Sequence, residues 1–138
     1  MPNGIDLILA DHERVNLLFA QFDETGDATV IGQIVDALSA HDQAEHAALY
    51  PLAGTVLGDE RMLERYAAAH SLVKKTIDHL MGLEGAPLLD AVAVLRQAVA
   101  EHVADEESKL LPALAKAATA NQLEGLAARI EQVKQRVG

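Results

Sequence analysis

His41-Asp42-Gln43-Ala44-Glu45-His46-Ala47-Ala48-Leu49-Tyr50-Pro51 is echoed 61 residues later by His102-Val103-Ala104-Asp105-Glu106-Glu107-Ser108-Lys109-Leu110-Leu111-Pro112. Both stretches read HxxxE, then Leu four residues on, then Pro two after that. A His and a carboxylate four residues apart stand one above the other on a single helix face. Each copy is preceded by another His, His12 and His70, which lie 58 residues apart. The whole reads H…HxxxE…H…HxxxE, the pattern of two helical hairpins related by an internal repeat.

The flanking sequence sets these residues on apolar stripes of helical period. Helix 1 is expected over about 5–23, with Ile5, Ile8, His12, Val15, Phe19 and Phe22 inward. Thr25-Gly26-Asp27 is a stop followed by the next cap. Helix 2 is expected over about 28–52, through Val30, Ile34, Leu38, His41, Glu45, Leu49 and Leu52; Pro51 should kink or end it, and Gly54 and Gly58 complete the break. Helix 3 is expected over about 59–81, through Met62, Tyr66, His70, Val73, Ile77 and Leu80. Helix 4 is expected over about 87–118, opened by Pro87 and perturbed near Pro112, through Leu88, Val92, Leu95, Val99, His102, Glu106 and Leu110. A shorter amphipathic segment over about 122–137 carries Leu123, Leu126, Ile130, Val133 and Val137 on one side and should pack against the rest.

Four long helices with short connections predict an all-α, antiparallel up-down-up-down four-helix bundle with a short extra C-terminal helix. The 138 residues read as a single domain, 1–138, with the bundle over about 5–118. Half of the residues are hydrophobic, with only two Phe, two Tyr and no Trp, so Ala, Leu and Val supply the core, in keeping with helix. The net charge of −10 argues against nucleic-acid and anionic-membrane partners. There is no Cys, hence no disulfide, Zn-thiolate or Fe–S site. With neither a signal-peptide pattern nor a membrane-length apolar run, a cytoplasmic protein is expected, as a monomer or weak dimer.

Six inward-facing residues remain to be explained: His12, His41, Glu45, His70, His102 and Glu106. Core histidines satisfied by hydrogen bonds would account for one of them. They do not account for four His and two Glu with no Lys or Arg repeated beside them, because a buried carboxylate costs several kcal/mol unless paired or metal-bound. Six donors with two bridging-capable carboxylates exceed the needs of one Zn ion and suit two octahedral ions, best two irons. Four His, bridging Glu45 and Glu106, and an oxo or hydroxo bridge leave one open position on each ion.

The set Asp11-His12-Glu13, His41-x3-Glu45 with Leu49-Tyr50-Pro51, His70, and His102-x3-Glu106-Glu107 with Leu110-Leu111-Pro112 resembles the hemerythrin-like, or HHE cation-binding, family over about residues 5–116. The resemblance implies a non-haem di-iron centre, with His12 and His41 on one iron, His70 and His102 on the other, and Glu45 and Glu106 between them. Oxygen-carrying members have a second His one turn after the third-helix His, where this chain has Lys74. Their final carboxylate is Asp at longer spacing, where this chain has Glu106. The chain is thus similar to a four-His, bacterial (actinobacterial-type) variant, and the expected role shifts from oxygen carriage to hydrogen peroxide decomposition. Reversible binding or sensing of O2 or NO is the alternative, with an apolar lining from Ile8, Phe19, Leu38, Val73 and Val99. Iron storage is weaker, because ferritin-like sites are richer in carboxylates and use Glu-x-x-His. Bis-His haem would leave Glu45 and Glu106 without a purpose.

Tyr50, Tyr66 and Lys74 are the candidates for an extra ligand or a supporting contact. Tyr66 lies one turn before His70. An ideal helical wheel cannot place Tyr50, because it precedes Pro51. His46 is about 100° around its helix from Glu45, and His79 is read as a surface residue.

Overall fold

The computed structural model describes residues 2–137 and is all-helical among them. Helix α1 (Gly4–Thr25) opens with a capping box: Asn3 accepts from the Asp6 backbone N–H, and Asp6 accepts from that of Asn3. It stops at Gly26, whose φ of 63° is the left-handed conformation open to glycine. Asp27 caps α2 (Ala28–Ala44) by accepting from the Thr29 N–H at 2.9 Å.

Helix 2 does not end at Pro51. After α2 the chain passes through a π-helical turn (Glu45–Leu49) directly into α3 (Tyr50–Leu57), ending at Gly58 with φ 66°. The second copy repeats this: α5 (Gly85–Asp105), a π turn (Glu106–Leu110) and α6 (Leu111–Ala117) form one rod. Proline has no N–H, and its ring crowds the carbonyl four residues back. Widening the turn moves that carbonyl away, and the preceding N–H is satisfied five residues back: Tyr50 donates to the Glu45 carbonyl and Leu111 to that of Glu106. Proline at the second position, within the first turn of the resumed helix, is tolerated there. Helix 2 therefore reaches Leu57, beyond the expected end near Leu52.

The fourth rod begins at Gly85, two residues before Pro87. Between the two rods that contain π turns lies α4 (Glu60–Leu80), capped by Asp59. The final helix, α7 (Ala120–Val137), starts just before the expected 122, because Thr119 and Gln122 form a reciprocal cap. Leu123, Leu126, Ile130 and Val133 are buried; the Val137 side chain, also expected on this stripe, lies outside the described residues.

Helix α1 packs on α2, α4 on α5, and α7 against α1, α2 and the first π turn. At Gly4 the approach of α7 is close: a Cβ there would collide with the Leu126 side chain. Two apolar clusters result. One joins Ile5, Ile8, Leu49, Tyr66, Leu110 and Leu114 to the buried face of α7. The other joins Val15, Phe19, Ile34, Leu38, Leu80, Leu95 and Val99. Along every long rod the polar site residues fall between these clusters. No described helix is long and apolar enough to cross a membrane.

Candidate metal centre

The structure brings the six expected ligand residues together. Glu45 and Glu106 are completely buried, and His12, His41, His70 and His102 are buried around them. Two overlapping groups each hold their ligand atoms within 4.8 Å of one another: His12, His41, Glu45 and Glu106; and Glu45, His70, His102 and Glu106. His41 Nε2 and His70 Nε2 stand 3.2 and 2.8 Å from Glu45 Oε1. His102 Nε2 stands 3.2 Å from Glu106 Oε2, and His12 Nε2 3.4 Å from Glu106 Oε1. The carboxylates thus sit between two pairs of imidazoles.

Protein contacts leave this centre short of partners. His12 Nε2, His41 Nε2, Glu45 Oε2 and Glu106 Oε1 are buried without a hydrogen bond. Orphaned buried groups of this kind cost about 1–3 kcal/mol each, more when charged. One or two cations coordinated by imidazole nitrogen and carboxylate oxygen would satisfy all four, so the donor set fits a metal.

Around the centre, carboxylates on neighbouring helices hold the outer imidazole nitrogens. His41 Nδ1 donates to Asp11 at 2.9 Å, His12 Nδ1 bonds Glu107 at 2.7 Å, and His70 Nδ1 bonds Asp42. Such contacts fix ring orientation and tautomer in metal sites. His102 Nδ1 has no partner. Lys134, from α7, contacts the other oxygen of Asp11.

Charge follows this network. Burial raises the Asp11 and Glu45 carboxyls, but His41 and Lys134 outweigh it at Asp11, and His41 with hydrogen bonds to Glu106 and His102 outweighs it at Glu45, leaving both below the ordinary range. Burial disfavours a charged imidazole, yet the surrounding carboxylates dominate: His41 is pushed up to about 10, and His102 to about 9.

The three candidates for an extra contact separate clearly. Tyr50 Oη lies 2.7 Å from His70 Nε2 and donates toward Glu106 Oε2 at 3.1 Å and Glu45 Oε1 at 3.3 Å. Burial and then the two carboxylates raise this phenol strongly. Tyr66 is buried, but its hydroxyl turns away to the Asp105 carbonyl at 3.4 Å. Lys74 is exposed and lines the rim of a cavity of about 460 Å³ whose inner wall includes His12, His41, His70 and His102. Val15, Leu38, Val73, Ile77 and Val99 line the same cavity. Of the expected apolar lining, Leu38, Val73 and Val99 are there, Phe19 borders a neighbouring cavity, and Ile8 packs in the cluster on the far side. His46 stays at the surface, with Nε2 3.3 Å from Asp42, and His79 is exposed.

Fold and site together define a helical protein built around a buried His/Glu cluster that could bind a metal. Residues 3–114 match the Hemerythrin HHE cation binding domain, and the chain belongs to that family. It is similar in fold to the crystal structure of a hemerythrin HHE cation binding domain-containing protein from Mycobacterium kansasii, with a TM-score of 0.84 at 20% identity, over 99% of this chain and 90% of that one. It is 31% identical over 138 residues to a DNA nickase of Nostoc sp. (strain PCC 7120), covering 96% of this chain. The chain spans only 39% of that protein's length.

Proposed function

We propose that this domain is a di-iron protein that decomposes hydrogen peroxide. The observation that carries the metal reading is the set of buried, unpartnered nitrogen and oxygen atoms on His12, His41, Glu45 and Glu106. His12 and His41 would hold one iron, His70 and His102 the other, and Glu45 and Glu106 would bridge them, inside an antiparallel four-helix frame. The short connections and the packing of α1 on α2 and α4 on α5 support that frame.

Tyr50 joins the ligand set on the side of His70. Around an octahedral ion with bonds of about 2.0–2.1 Å, neighbouring ligand atoms lie about 2.9 Å apart. The separations of Tyr50 Oη from His70 Nε2, Glu106 Oε2 and Glu45 Oε1 are 2.7, 3.1 and 3.3 Å. A cation at that position would reverse the upward push on the phenol. With Tyr50 bound, one of the two positions left open by the ligand count is filled and one remains for a small molecule.

Bound in this set, the irons would supply Lewis acidity and reversible one-electron changes. The chain supplies access and geometry. The cavity leads from the exposed residues Ser39, Gln43, Lys74 and Asp78 to the four imidazoles, between apolar walls that admit small uncharged molecules. Lys74 is the cation at its rim. Of two peroxide molecules, one is oxidised to O2 and the other reduced to two waters, which requires no outside reductant.

Adding hydrogen peroxide to the iron-loaded protein and measuring O2 evolution tests this reading. Rapid, sustained evolution supports it. A stable, reversible O2 adduct of the reduced protein without turnover would favour the second reading, O2 or NO binding, which the same apolar cavity would serve. The nickase activity of the Nostoc relative finds no support in a chain of net charge −10.

A further inference from the structure

The carboxylate that steadies His41 is itself steadied from outside the family domain. Asp11 receives His41 Nδ1 on one oxygen, at 2.9 Å, and Lys134 Nζ on the other. Asp11 is largely shielded from solvent, so it has few other partners to turn to. Lys134 belongs to α7, which lies beyond the residues 3–114 that match the family. The α7 helix is anchored where it lies: Leu123, Leu126, Ile130 and Val133 are buried, and Gly4 gives up its side chain to Leu126. The ammonium is therefore delivered by a fixed element.

The arrangement is confined to one copy of the repeat. The residue preceding His70, at the repeat position of Asp11, is Ala69, and the corresponding imidazole, His102, has no partner on Nδ1. His12 and His70 have outer carboxylates, Glu107 and Asp42, but neither of these is contacted by a lysine or arginine. His46 contacts Asp42, but Lys134 to Asp11 to His41 is the sole relay at the centre that ends on a lysine or arginine among the described residues.

We propose that Lys134 is a positioning residue: through Asp11 it fixes His41, and thereby strengthens metal binding at the position formed by His12 and His41 while leaving that of His70 and His102 unaffected. This rests on the metal reading above. Removing an outer-shell partner of a metal-bound His typically weakens metal affinity 10–100-fold.

The test is stepwise loading of the metal-free protein with Co2+ alone, followed by visible absorption and calorimetry, in wild type, Lys134→Met, Lys134→Arg and Arg129→Met. The expected result is that Lys134→Met weakens one of two binding steps about 10-fold or more and spares the other. Lys134→Arg, which keeps the cation, should restore that step. Arg129→Met, which removes the same charge from the same helix without touching Asp11, should change neither. Unchanged steps in Lys134→Met, equal weakening of both, failure of arginine to rescue, or an equal effect of Arg129→Met overturns the relay and leaves the metal reading standing. A wild type that binds no Co2+ overturns both.

Discussion

Tyr50 Oη lies 2.7 Å from His70 Nε2, although the two residues sit on different helices and no pattern in the sequence joins them. If the phenol is a ligand, the iron-loaded protein should show an intense visible tyrosinate-to-iron charge-transfer band. Tyr50→Phe should abolish the band while the protein keeps two irons and its helicity. A wild type without such a band would remove Tyr50 from the ligand set.

Iron analysis should give about two irons per chain, the number the donor set suits. The double substitution His41→Ala, His102→Ala takes one imidazole from each position, and metal content should fall to a small fraction of that value. Full retention of iron, or a wild type carrying zinc alone, would refute the di-iron reading.

The raised imidazoles make the metal-free protein sensitive to pH in a defined direction. His41 at about 10 and His102 at about 9 lie above the ordinary 6.5, so their protonation stabilises the folded state. That contribution is complete below pH 6.5 and is lost as pH climbs through 9 and 10. The depressed carboxyls of Asp11, Asp42 and Glu45 contribute with the opposite sense, lost on acidification below their ordinary range. Metal-free protein should therefore be most stable in mildly acidic solution and weaken steadily toward pH 10. Loading at pH 7 must displace protons from His41 and His102, so binding heats should depend on the ionisation heat of the buffer.

Gly4 marks a tight seam between α1 and α7. Gly4→Val would drive a branched side chain into Leu126, and overpacking of this kind costs about 1–3 kcal/mol. Thermal unfolding of this variant should come at lower temperature than wild type. Gly32→Ala, with open space around the position, should match or exceed it.

How far the sequence was readable depends on which residues are asked about. The HxxxE spacing and the preceding His on each hairpin belong to a regular helical wheel, and those six residues meet in the core. Asp11, Asp42 and Glu107 sit beside site residues in sequence, yet each steadies an imidazole on another helix: Asp11 holds His41, Asp42 holds His70, and Glu107 holds His12. No wheel shows a contact between helices; the available hint was an acidic residue abutting a core His or Glu. Tyr50 was hidden for a different reason. At about 100° per residue it falls about 140° from Glu45 in an α-helix. The π turn repeats after five residues and returns it toward the same side. Pro51 gave the signal, and its effect was to widen the helix where a break was expected.

The paired π turns act as phase shifters. Each lodges one surplus residue in its rod, so the portion before the turn and the portion after it aim their side chains by separate settings. In the first copy the earlier portion aims His41 and Glu45, and the later one aims Tyr50 and Ala53. In the second copy the later portion brings in Leu111 and Leu114, aliphatic where the first has a phenol. Because the setting beyond each turn is independent, one hairpin could gain an oxygen donor and its twin remain greasy, with the four histidines undisturbed. In the proposed di-iron centre, a symmetric scaffold would thereby house two unlike metal positions.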